Sequence, residues 1–219
     1  MPVSKTPSLS PEREQRRQAD KAQRHSERRL TIMRSAKELL VTQGIDRFTV
    51  AEVAQASSLS KPSLYYYFAS KEALVLELAL ESLQLEYDAL TGAIRGAESG
   101  VEVLVRLVRT RIDFFLSDVD AFRIVHIWAP ALGLQDQIFQ SSASKQVNEL
   151  LTAIGDRLSA ERKGLSARPD IQQLPQVAWA LSQGILVQGV TGATHPSDRE
   201  QCRVMRDIAC RWLLDSLIE

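Results

Sequence analysis

Between Thr49 and Leu74 the chain reads TVAEVAQASSLSKPSLYYYFASKEAL, a stretch that leaves few ways to fold. Thr49 followed three residues later by Glu52 is a capping box, and Phe48 ahead of it can staple against Val53, so a helix begins at residue 50. It has room to run only to about residue 56, because Ser57-Ser58 and then Ser60-Lys61-Pro62 impose a turn and a new start. The next helix is expected over about 61–68, and Ser70 at once caps another.

A longer helix precedes them. Ile32, Ala36, Leu39, Leu40 and Gln43 follow helical spacing, and Gly44 supplies the stop. One longer helix, then two short ones around a tight turn, is the shape of a helix-turn-helix. With Leu64 and Phe68 placed inward, Pro62, Ser63, Tyr65 and Tyr66 fall on the outward half, and Lys61 and Tyr67 on the flanks. Phenols and hydroxyls donate to phosphate oxygens, lysine neutralises them, and aromatic rings lie against thymine methyls. The alternative for the tyrosines is packing on the following helix or on a dimer neighbour.

The charge distribution points the same way. The 219 residues carry 27 basic and 27 acidic side chains. Residues 1–75 hold 13 Lys/Arg against 8 Asp/Glu, and the remainder 14 against 19. A basic front on an acidic body fits an anionic partner, while a solvated helix face is the plainer account. Residues 1–25 form a basic arm whose proline- and serine-rich start should be disordered. Past the Ser10-Pro11-Glu12 start signal, the arm either extends the next helix or orders only on a polyanion.

The residues from Thr49 to Leu74, with RRLTIMRSAKELLVTQGIDRF ahead of them, resemble the N-terminal domain of TetR-family transcriptional regulators. The resemblance covers about 50 residues of the chain, in the capping box, the turn, the Leu-Tyr-Tyr-x-Phe run and the Ser-Lys-Glu start. It implies that Thr49 and Lys71 meet phosphates from helix N-termini. It also implies that Lys61, Ser63 and Tyr65 reach base edges or nearby phosphates, that Tyr66 and Tyr67 grip the backbone, and that Ser60 belongs to the same DNA-binding set. Two positions depart from the family pattern. Ser58 stands where the turn usually has glycine, and Pro62 replaces the common glycine after Lys61.

The expected fold is all-α: a helix-turn-helix domain over 26–75 and a larger helical domain over 76–219 for ligand binding and dimerisation. In the second domain, VEVLVRLVRTRIDFFLS should be a central helix, Pro130 should end or kink the next near Trp128, and one helix is expected over about 134–162. Phe115, Phe122, His126, Trp128, Trp179 and Gln183 combine aromatic bulk with a few polar heads, as small-molecule pockets do. Ordinary core packing would use the same residues. The last two helices carry apolar stripes that include Val177, Leu181, Ile185, Met205, Ile208, Trp212 and Leu213, a pattern suited to a two-fold dimer built on a four-helix bundle. A closed monomeric bundle is the competing arrangement. Ser197 and Glu200 form a capping box for the last helix.

No phosphate loop, metal-ligand spacing or nucleophile motif accompanies His25, His126 and His195, so no catalytic residue, cofactor or metal is expected. Cys202 and Cys210 read as buried thiols in a reducing compartment, and no apolar run is long enough for a membrane span. A cytoplasmic location follows. The expected function is a dimeric repressor that releases a palindromic double-stranded DNA operator when a small-molecule effector binds. The alternatives are a protein of the same fold that answers to a protein partner, and an activator.

Overall fold

The structure, a computed structural model, describes residues 11–161, 171–191 and 196–218. The described residues are helical, with no strand among them. They fall into two compact units, Met1–Leu74 and Val75–Glu219.

In the first unit α1 (Pro11–Gln43) is one continuous helix, so the described part of the arm extends it. Its inner stripe, Ile32, Met33, Ala36 and Leu40, is buried, whereas residues 13–28 are exposed all round. Gly44 ends the helix with a φ of 78°, in the left-handed region. α2 (Val50–Ala56) begins at the reciprocal box: the Glu52 N–H donates to Thr49 Oγ1 at 3.3 Å, and the Thr49 N–H to Glu52 Oε2 at 3.1 Å. The turn after it closes as a Schellman motif, with Leu59 N–H on the Ala54 carbonyl and Ser58 N–H on the Gln55 carbonyl. Ser58 takes the left-handed position that this motif requires, at φ 55°.

α3 (Lys61–Tyr65) starts on Ser60, whose Oγ accepts from the Ser63 N–H at 3.2 Å, with Pro62 in its first turn. It is shorter than expected, because the chain tightens into a turn at Tyr66–Phe68. Leu64 and Phe68 are buried with Phe48, Val53 and Ala54, and hold the two short helices together. α4 (Lys71–Ala93) supplies residues to both units.

In the second unit α5 (Gly100–Ser117) is the central rod, with Leu104, Leu107, Val108, Ile112 and Phe115 all in the core. α6 (Val119–Arg123) runs into a π-helical turn, Ile124–Trp128, and then α7 (Ala129–Ala131). The cause is local. Pro130 has no N–H to give the His126 carbonyl, and the Ala129 N–H reaches back five residues to the Ile124 carbonyl. The helix expected near 134–162 is two, α8 (Gln135–Phe139) and α9 (Ser142–Glu161), because Ser141 restarts it by accepting from the Ser144 N–H at 3.2 Å.

α10 (Leu174–Thr191) and α11 (Pro196–Ile218) pack on α5 and on each other. The Ser197 side chain lies outside the described residues. Gly155 of α9 lets the 3-10 turn Ile171–Gln173 approach, since a Cβ there would lie 2.4 Å from the Gln172 carbonyl oxygen. Cys202 and Cys210 are buried thiols that form no disulfide with each other. No described helix is long and apolar enough to cross a membrane.

Candidate functional site

Two surfaces carry chemistry, one in each unit. In the first, α3 presents Lys61, Ser63 and Tyr65 to solvent, and Tyr66, the residue that caps it, is exposed by 72%. Helix starts fix several of these groups. Thr49 Oγ1 donates to Glu52 Oε2 at 2.6 Å while accepting the Glu52 N–H, and this contact lowers the Glu52 pKa. Ser60 Oγ and Ser63 Oγ are 2.7 Å apart, so the two hydroxyls hold each other in place at the start of α3.

Tyr67 is half-buried and packs edge-on to Tyr66, with ring centroids 5.3 Å apart. Its other neighbour is His25 of α1, at 4.7 Å, which also meets the edge of Tyr66 at 5.9 Å. Lys71 is half-buried, its ammonium donating to the Ile45 carbonyl and lying 5.8 Å from the Phe48 ring centroid. It therefore braces the loop before α2 as well as standing at the start of α4.

The sequence reading left out the surface on the other side of the tyrosines. A groove of about 710 Å³ runs along α1, lined by Arg17, Lys21, Arg24, His25 and Arg28, with Glu27 and Thr31 among them, together with Tyr66 and Tyr67. Its signal was in the chain, as basic residues at spacings of three and four in an arm with no apolar stripe. What the chain alone could not say was that the arm is helical and that His25 reaches the tyrosines.

The second unit holds a cavity of about 370 Å³, lined by side chains of α4, α5, the π-turn, α7, α8, α9 and α10, half of them apolar and half polar, with apolar atoms making up most of its surface. Of the six residues singled out for a pocket, His126, Trp179 and Gln183 line it. Phe115 and Phe122 are fully buried and stack behind His126, with centroids 5.6 and 4.5 Å from its ring. Trp128, in the π-turn, is not part of the lining. His126 Nε2 is buried without a hydrogen-bond partner among the described residues. Burial, and then the charge of Arg111, push its pKa down to about 3.

The centre of the cavity wall is a pair that the sequence reading did not name. Arg111 Nε donates to Glu86 Oε1 at 2.9 Å, with both side chains 1% exposed. Arg111 Nη1 donates to Ser182 Oγ at 2.7 Å, its Nη2 to Gln183 Oε1, and its guanidinium lies 3.9 Å from the Trp179 ring centroid. Burial pushes the Glu86 carboxyl above its ordinary range, against the pull of Arg111. The clue was an arginine standing in the buried stripe of α5, between Val108 and Ile112.

The stripes of the last two helices divide. Val177, Leu181, Ile208 and Trp212 are exposed, at 52%, 38%, 62% and 53%. Ile185 and Leu213 point the other way, into the core, and Met205 is half-buried against it. Val187 and Val204 join the exposed set.

Residues 32–78 match the model for bacterial regulatory proteins of the tetR family. The chain is similar to the HTH-type transcriptional activator FasR of Mycolicibacterium smegmatis, 28% identical over 134 residues, which is 58% of this chain. The match spans 59% of the length of that curated relative. Among solved structures, the TetR-family regulator PfmR of Thermus thermophilus superposes with a TM-score of 0.61 at 23% identity, covering 82% of this chain and 97% of that one. The fatty acid degradation regulator FadR of Bacillus halodurans gives 0.63 at 15%, covering 83% and 94%. At these identities the likeness speaks for the fold. With the helix-turn-helix core in place and the family model matched across it, residues 32–78 are a tetR-family regulatory-protein domain, and the helical second unit shares its fold with these structures.

Proposed function

We propose that this chain is a dimeric, sequence-specific DNA-binding transcriptional regulator whose hold on a palindromic operator is released by a small molecule in the C-terminal cavity. The observation that carries the DNA reading is the exposed face of α3 and its C-cap, with Lys61, Ser63, Tyr65 and Tyr66 outward and Leu64 locked in the core behind them. In this reading Ser63 and Tyr65 reach base edges, and Lys61 and Ser60 stand at the start of the recognition helix. Thr49, Lys71, Tyr66 and Tyr67 hold phosphates. The groove along α1 adds a basic wall beside the same tyrosines, a shape that suits the backbone of flanking duplex.

The exposed apolar strip of Val177, Leu181, Ile208 and Trp212 supports the dimer, since two copies of α10 and α11 would close it into a four-helix bundle. The cavity supports the effector. Glu86 of the cavity wall and Lys71 of the first unit lie on one helix, α4, so a ligand that shifts α4 acts on both ends of it. Such a ligand must bind the DNA-free state better than the DNA-bound one.

Release of a repressor is the leading reading. The name of FasR, an activator, supports a second one, in which the bound protein recruits transcription. Selection of bound duplexes from random DNA, followed by transcription in vitro from a promoter carrying the selected site, tests both. Absent or salt-insensitive binding would end the proposal. Lowered transcription supports the repressor, and raised transcription the activator.

A further inference from the structure

The cavity's polar chemistry is already balanced within its own wall. Its charged lining residues are Glu86 and Arg111, and they face each other at 2.9 Å, both buried. A buried guanidinium needs a counter-charge, and Glu86 is the one in contact with it, so the pair is neutral as a unit. Three of the four remaining N–H donors of Arg111 are engaged, by Ser182, by Gln183 and, at 3.4 Å, by the Trp179 carbonyl, while one flat face is covered by the Trp179 ring. An incoming carboxylate would meet an arginine with little left to give. An incoming amine would meet a glutamate already paired.

His126 does not alter the balance. Burial keeps its imidazole uncharged at neutral pH. The rest of the polar lining is amide and hydroxyl, from Gln135, Asn148, Gln183 and Ser144, set among leucine, isoleucine, valine, proline and aromatic side chains. Such groups hydrogen-bond a neutral partner and leave a buried ion uncompensated.

We infer that this cavity seats an uncharged ligand, a mainly apolar body carrying hydroxyl, carbonyl or amide groups, and that it discriminates against carboxylates and amines of the same size. The inference rests on the effector-cavity reading above and narrows it to a chemical class.

Three probes with one body and different heads test it on the full chain at neutral pH: decan-1-ol, decanoate and decylammonium, compared by titration calorimetry. The alcohol should bind at least about tenfold more tightly than either ion. Equal binding, preference for either ion, or binding by none of the three overturns the inference. Glu86→Gln leaves the arginine charge uncompensated in a site of the same shape. In that variant decanoate should gain at least about tenfold on the alcohol. A folded variant that keeps the wild-type ranking also overturns it, and the wild-type ranking decides whether or not the variant folds.

The same probes are added to protein held on its selected duplex. Alcohol that binds and leaves the DNA complex intact counts against the regulator reading and leaves the charge inference standing. Decanoate that binds more tightly than the alcohol sinks the charge inference, whatever happens to the DNA.

Discussion

Glu86 and Arg111, 25 residues apart in the chain, meet at 2.9 Å with both side chains out of solvent, and so tie α4 to α5 inside the second unit. Arg111 extends the tie to α10 through Ser182 and Gln183. Removing one partner leaves the other charge buried without compensation. Arg111→Met should therefore destabilise the second unit by about 3–5 kcal/mol. Glu86→Leu/Arg111→Met together should cost clearly less than the sum of the single changes, which a double-mutant cycle by urea unfolding will measure.

The buried imidazole of His126 makes stability depend on pH. Its pKa lies near 3 in the folded chain against 6.5 for an ordinary histidine, so below 6.5 the unfolded chain takes up a proton that the native one refuses. The contribution is complete above that value and is lost progressively as pH falls towards 3. At pH 5 the loss should be about 2 kcal/mol. Unfolding measured at neutral pH and at pH 5 checks this, and His126→Phe should remove that share of the difference.

Ser58 occupies a left-handed backbone position at φ 55°, where a side chain is strained and glycine is not. Ser58→Gly should leave DNA binding intact and raise the stability of the first unit by up to about 1 kcal/mol. Thermal unfolding followed by circular dichroism is the check.

On DNA, contacts to phosphate and to bases separate by their effect on sequence preference. Tyr66→Ala and Arg24→Gln should weaken all duplexes alike, and Arg24→Gln should reduce the salt slope by about 1. Ser63→Ala and Tyr65→Phe should change the consensus returned by selection from random DNA. Lys71→Met is a less clean probe, because its ammonium also holds the Ile45 carbonyl, so thermal stability should fall along with affinity.

For assembly, the exposed residues and the core residues of the last two helices predict different failures. Ile208→Glu and Trp212→Glu should give folded monomers by analytical ultracentrifugation. Leu213→Glu, at a position 2% exposed, should disrupt the fold itself. Folded, dimeric Ile208→Glu would place the interface elsewhere.

The helix-turn-helix was legible in the chain because every signal for it is local. A capping box spans four residues, the turn needs one left-handed residue, Pro62 sets a first helical turn, and Leu64 and Phe68 share a face by spacing alone. The fold class and most helix starts and stops were determined in the same way. The end of α3 was not, since a turn beyond Tyr65 competes with helix by small differences that packing resolves.

Only the tertiary structure decided the rest, because the partners lie far apart along the chain. His25 meets Tyr67 across 42 residues, Arg111 meets Gln183 across 72, and Gly155 is needed for the passage of residue 172. The apolar stripes of α10 and α11 show the same limit. Periodicity assigned Ile185 and Leu213 together with Leu181 and Trp212, and it took the position of α5 to send the first pair inward and leave the second on the surface. A helical repeat specifies which residues share a face, but which of two apolar faces is covered depends on what packs against it.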